Sequence, residues 1–117
     1  MKRESILREK SYAFAIRIVK LCGSLCEEKK EFVLSKQLLR SGTSPGALAR
    51  EAEYAQSKAD FINKLHVALK EANETAYWLQ LLKDTDYLEE KMCKSIYSDC
   101  DELISILVSS LKTLKNS

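Results

Sequence analysis

Proline and glycine are almost missing from this chain: one proline and three glycines in 117 residues. An all-β sandwich needs a turn signal roughly every ten residues, and that supply is not here. Long apolar runs are missing too. No stretch approaches the ~18 residues of a membrane span, so no membrane contact is expected. The start, Met1-Lys2-Arg3-Glu4, is charged, but Arg8, Glu9 and Lys10 interrupt any apolar core behind it. It does not read as a signal peptide. The expected setting is cytoplasmic and reducing, where the four cysteines stay thiols.

Catalytic constellations are also wanting. The single histidine, His66, has no Ser or Cys arrangement around it that would make a triad. Cys22 and Cys26 are four apart, and Cys93 and Cys100 seven apart, which is not the CxxC-type pairing of zinc sites. Small buried hydrophobes are the better reading of all four. Glu71 and Glu74 lie three apart, but the Glu-x-x-His motifs of di-iron bundles are absent. Gly42 and Gly46 follow no strand and match no phosphate-loop pattern. The expectation is therefore a protein that is not an enzyme and takes neither metal nor cofactor.

What is present is helical periodicity. Hydrophobic residues make up 45% and charged residues 31%, a globular composition that fits a single domain over residues 1–117. Four segments repeat apolar residues at three-four spacing. In the first, about Ser5 to Glu28, the stripe is Leu7, Phe14, Ile18, Leu21 and Leu25. In the second, about Phe32 to Gln56, it is Leu34, Leu38, Leu39, Leu48, Ala49, Ala52 and Ala55. Ser44 followed by Pro45 predicts a kink or a restart midway along this segment. Gly42 and Gly46 leave one face bare, suited to close approach of a neighbouring helix.

The third segment opens on Ser57-Lys58-Ala59-Asp60, a Ser-x-x-Asp capping pattern, and runs to about Lys83. Its stripe is Phe61, Ile62, Leu65, Leu69, Ala72, Ala76 and Leu79. The fourth follows Asp84-Thr85-Asp86, with Leu88, Met92, Ile96, Cys100, Leu103, Leu107, Leu111 and Leu114. Helices of this length joined by short connections pack as antiparallel neighbours. The predicted fold is an all-α, antiparallel up-down four-helix bundle.

Two segments are apolar on more than one face. The first adds Tyr12, Ile16 and Val19; the third adds Val67, Trp78 and Leu81. A monomeric bundle needs one buried stripe per helix. The extra residues point to a subunit interface in a homo-oligomer, with Trp78 a suitable anchor. The alternative is a wide core face with a few stray exposed residues. Antiparallel geometry about Ser57 places Arg40 level with Glu74, so an ion pair between them is expected.

The formal charge is only +2 but unevenly spread: residues 1–70 hold 14 basic and 8 acidic residues, and residues 71–117 hold 5 and 9. Arg3, Lys10 and Arg17 recur every seven residues, with Lys20 nearby and Lys36 one turn before Arg40. Such an edge could track phosphates without reading bases. An ordinary salt-bridged surface explains the same residues.

The string Ser35-Lys36-Gln37-Leu38-Leu39-Arg40-Ser41-Gly42-Thr43-Ser44 resembles a known pattern. So do Asp60-Phe61-Ile62 and the run from Ala68 through Glu71-Ala72-Asn73-Glu74-Thr75-Ala76-Tyr77-Trp78-Leu79. They are similar to the bacterial four-helix-bundle proteins named for 23S rRNA intervening sequences, over nearly the whole chain. The resemblance implies a cytosolic, ring-like homopentamer with no established enzymatic activity. It also implies kinship with the accessory protein of diversity-generating retroelements, a basic pentamer that works with nucleic acid. The expected function is a homo-oligomeric scaffold or adaptor that binds RNA or another nucleic acid through its basic first half. The alternative is an adaptor that binds only a protein partner.

Overall fold

The structure is a computed structural model that describes residues 2–116, with side chains from residue 6 onward. Four helices form: α1 (Lys2–Lys29), α2 (Leu34–Ala52), α3 (Lys58–Asp84) and α4 (Glu90–Lys115). Each packs on its neighbours in sequence, and α1 closes the circle against α4. The result is the antiparallel up-down four-helix bundle that the periodicity predicts, 46 × 21 × 19 Å along its principal axes.

Apolar spacing builds the core directly. Leu7, Phe14, Ile18, Leu21 and Leu25 of α1 are all buried, and Leu38, Ala49 and Ala52 of α2 meet them. Leu65, Ala72, Ala76 and Leu79 supply the α3 side, joined by Ala68 and Leu82. On α4, Ile96, Cys100, Leu103, Leu107 and Leu111 face inward. Two stripe assignments need correcting: Leu39 and Met92 are exposed, and Cys93 takes the inward place expected of Met92. Cys93 is three residues before Ile96 and seven before Cys100, so it shares their face.

Helix ends differ from expectation in three places. Helix α2 runs unbroken from Leu34 to Ala52 with Pro45 inside it, so the predicted restart at Ser44 does not occur. Pro45 removes one backbone donor, but its ring is fully buried in the core. The hydroxyls of Thr43 and Ser44 bond back to the carbonyls of Leu39 and Arg40, at 2.8 and 2.6 Å, beside the disturbed turn. Helix α2 also stops short of the expected Gln56. Helix α4 begins at Glu90, after a turn in which Asp86 adopts φ 68° and Leu88 is tucked into the core. At α3 the cap is as read: Ser57 Oγ accepts the Asp60 N–H at 3.1 Å.

The start of α2 has a cap the sequence did not advertise. Val33 stands at the N-cap position without a side-chain bond. Glu31 reaches in from the preceding turn instead, its carboxylate accepting the N–H groups of Ser35 (2.7 Å), Leu34 (3.0 Å) and Val33 (3.3 Å). Burial pushes its pKa up, but these backbone donors and the Ser35 hydroxyl outweigh it and hold the carboxyl below its usual range.

Close approach of α1 and α2 depends on glycine. A Cβ on Gly42 would sit 2.8 Å from both Cγ1 and Cγ2 of Ile18, which is itself fully buried. A Cβ on Gly46 would lie 3.3 Å from the Ser11 carbonyl oxygen. On the other side of α2, Thr75 donates to Ser41 Oγ at 3.0 Å, a buried hydroxyl pair joining α2 to α3.

Candidate functional site

Helix α1 carries an apolar line that the bundle does not use. Tyr12, Ile16 and Val19 are 58%, 42% and 52% exposed, on the face turned away from Phe14 and Ile18. Ala13 and Gly23 extend a low relief around them, without long charged side chains on the line itself. The second stripe of α3 is placed differently. Val67, Trp78 and Leu81 are half-buried within the single chain. The Trp78 ring packs against the core and meets Tyr77 edge-on, with centroids 5.0 Å apart and planes at 72°. Tyr77, its more exposed neighbour, is the larger aromatic surface there.

Trp78 is also fixed by a polar network. Its indole N–H donates to Glu74 Oε2 at 2.9 Å. Glu74 takes Nη2 of Arg40, and Glu71 takes Nη1 of the same guanidinium at 2.7 Å. The expected partner Glu74 is thus one of two, and Glu71 is the more buried. One arginine on α2 ties two turns of α3 and holds the tryptophan's rotamer through them.

Basic residues of the proposed edge are dispersed in role. Arg3 lies outside the residues whose side chains are described. Lys10 pairs with Glu102 at 3.0 Å, and Arg17 pairs with Asp99 at 2.7 Å, both across the α1–α4 seam. Lys20 and Lys36 are exposed and form no ion pair among the described residues. The acidic second half of the chain therefore compensates part of the basic first half within the same molecule.

A polar groove on the α1–α2 side was not foreseen. Arg8, Tyr12, Arg50, Tyr54 and Lys64 line it, over a floor of Ala15, Thr43, Gly46 and Ala47. A second groove, apolar, opens where Ala49, Ala52, Phe61, Leu65, Ile106 and Leu114 converge at one end of the bundle. Small residues on α2 and α4 leave that space.

The cysteines behave as apolar groups. Cys22, Cys93 and Cys100 are buried and free, and their thiols lie on the carbonyls of Ser35, Leu79 and Ala72. Burial pushes both Cys22 and Cys100 up to about 12, and raises Cys93 as well. Cys26, partly exposed, contacts the Glu31 carbonyl and the Ser35 hydroxyl. Among the described residues no three His, Cys, Asp or Glu side chains gather as a metal site, and His66 stands exposed on α3. No helix among them is long and apolar enough to cross a membrane.

Residues 3–109 match the model of the 23S rRNA-intervening sequence protein family. The chain belongs to that family. Among solved structures it is similar to a crystal structure from Bacteroides thetaiotaomicron, described as a protein of unknown function from the S23 ribosomal protein family. The two are 55% identical with a TM-score of 0.92, over 94% of this chain and 98% of that one. No curated protein matches. Membership agrees with the four-helix architecture and with the Arg40 and Glu71–Leu79 strings that the sequence resemblance rests on.

Proposed function

We propose that this family member is a non-enzymatic, cytoplasmic scaffold that assembles with copies of itself and presents a basic surface to RNA or another nucleic acid. The exposed line of Tyr12, Ile16 and Val19 carries the reading. Three large apolar side chains on one helix face have no partner inside the bundle, and covering them removes apolar surface from water. The α3 face around Tyr77, Trp78 and Leu81 is a different surface, so pairing one with the other is head-to-tail. Such contacts close into rings when the rotation allows, and the family resemblance favours five subunits. A ring also repeats Lys20 and Lys36 from every copy, which concentrates a modest charge into a stronger field.

Sedimentation equilibrium at micromolar concentration tests assembly. The expected mass is a multiple of 13.3 kDa, near five-fold. Ile16→Glu combined with Val19→Glu, or Trp78→Ala, shifts it toward the monomer; a parent that stays monomeric defeats the reading. RNA affinity is expected to fall steeply with salt, because phosphate contacts release counterions. Replacing Lys20 and Lys36 together by Gln lowers that affinity and flattens the salt slope.

A second reading, an adaptor for a protein partner without nucleic-acid contact, is favoured by one observation. Lys10 and Arg17 already spend their charge on Glu102 and Asp99. A parent that assembles but binds no RNA at low salt selects it.

A further inference from the structure

We propose that the polar groove between α1 and the α2–α3 turn is a nucleotide-unit site, in which Tyr54 stacks on a base and Arg50 takes its phosphate. This deepens the nucleic-acid part of the reading above and rests on it. Tyr54 is 83% exposed, the most open large side chain of the molecule's described apolar set. Its backbone is nonetheless held, its N–H donating to the Glu51 carbonyl at 3.0 Å. A fixed backbone presenting a bare aromatic face is what base stacking uses, and stacking tolerates any base. Tyr12 on α1 also lines the groove.

The floor of the groove is low. Ala15, Thr43, Gly46 and Ala47 have little side chain to raise it, and Gly46 lies against the Ser11 backbone. A planar ring therefore has room beside Tyr54. The charges are arranged to leave one cation available. Arg8 is paired with Glu53, and Lys64 with Asp60 at 3.2 Å. Asp60 also accepts the Gln56 N–H at 3.2 Å. Of the groove's two acids, Asp60 is thus occupied by Lys64, and Arg8 is taken by Glu53 just outside the lining, while Arg50 has no partner among the described residues. The other acid of the lining, Glu51, is the next residue along α2, about 100° away around the helix, and forms no ion pair with Arg50. A guanidinium with all its donors unspent suits a phosphate oxygen pair. Tyr54 and Arg50 sit at the α2–α3 end, beyond the level of Ile16 and Val19, so these two side chains stay open when that line is covered, with Tyr12 at the border between the groove and the subunit contact.

The same chemistry is offered by a free nucleotide and by one unit of a single strand. Fluorescence anisotropy separates them, using labelled oligouridine of about twelve nucleotides, a duplex of equal length, and unlabelled uridine monophosphate as competitor. The parent is expected to prefer the single strand, since a duplex hides its base faces. Tyr54→Ala and Arg50→Gln each weaken strand binding about tenfold, Tyr54→Phe does not, and duplex binding is indifferent to Tyr54→Ala. Competition by the monophosphate at millimolar concentration assigns the site to the isolated unit; its absence, with the variant losses intact, assigns it to the strand. If Tyr54→Ala and Arg50→Gln bind the strand like the parent, the groove is not the site, while the nucleic-acid reading survives. If the parent binds neither strand nor duplex at about 50 mM salt, that reading itself fails and takes the groove with it. Circular dichroism confirms that each variant is folded.

Discussion

The two seams that α1 makes with its neighbours are held by different physics. Against α2 the contact along the helices is shape, with the Arg8–Glu53 pair only at the far end: Gly42 over Ile18, Gly46 over the Ser11 backbone, with no room for a methyl group at the first. Against α4 the described polar links are ion pairs at the rim, Arg17 with Asp99 and Lys10 with Glu102, each side chain a third or more exposed. A shape seam tolerates no added atom but is indifferent to salt. A charged seam tolerates substitution but weakens as ions screen it. The comparison implies that damage to α1 is graded by which side it falls on.

Gly42→Ala tests the shape seam hardest. Its new methyl group would stand 2.8 Å from two carbons of a fully buried isoleucine, so backbone or side chain must shift. The expected loss is about 1–3 kcal/mol, read by urea denaturation. Ile18→Val in the same chain removes only Cδ1, at 3.1 Å, and keeps both carbons at 2.8 Å, so it should recover little of it. A neutral Gly42→Ala would show that the seam yields.

Next in size is the cap that starts the α2 side. Glu31→Ala should cost about 1–2 kcal/mol at pH 7, because three backbone donors lose their acceptor. The pH dependence has a definite sign. Glu31 titrates below its ordinary value in the folded chain, so its contribution is complete above about pH 4.5 and fades as pH falls through the lower folded value. Parent and variant should therefore converge in stability as pH falls below the folded value; a constant gap would place the effect elsewhere.

The charged seam should give least. Arg17→Gln or Asp99→Asn is expected to cost about 0.2–1 kcal/mol in dilute buffer and less in molar salt, the double variant no more than either alone. An unfolding midpoint that drops as far as for Gly42→Ala would erase the distinction between the seams.

The fold was legible because its signal is repetitive. The α1 stripe from Leu7 to Leu25 was read residue for residue, since each position repeats the evidence of the last. Single-position features were harder. Ser44-Pro45 looked like a helix start because proline usually sits at the first turn; what overruled it was burial of the ring, a tertiary fact. Glu31 was invisible as a cap because it lies outside the usual N-cap position, within a run of charges, and acts only after the turn folds back. The interaction surfaces divide in the same way. Exposure of Tyr12, Ile16 and Val19 follows from periodicity, and Arg40 near Glu74 follows from antiparallel register. Glu71 as the second carboxylate and the gathering of Arg50 with Tyr54 depend on how α2 turns into α3, which no local pattern encodes.

The buried thiols make the bundle a recorder of its own openings. Cys22 reports on α1, Cys93 and Cys100 on two successive stretches of the first half of α4, and each is shielded with its thiol pKa raised by burial, so a labelling reagent finds it only when that segment parts from the core. Cys26, partly exposed, supplies the internal standard. Modification rates at the three sites would then rank how often each stretch breathes, without adding a probe or changing a residue.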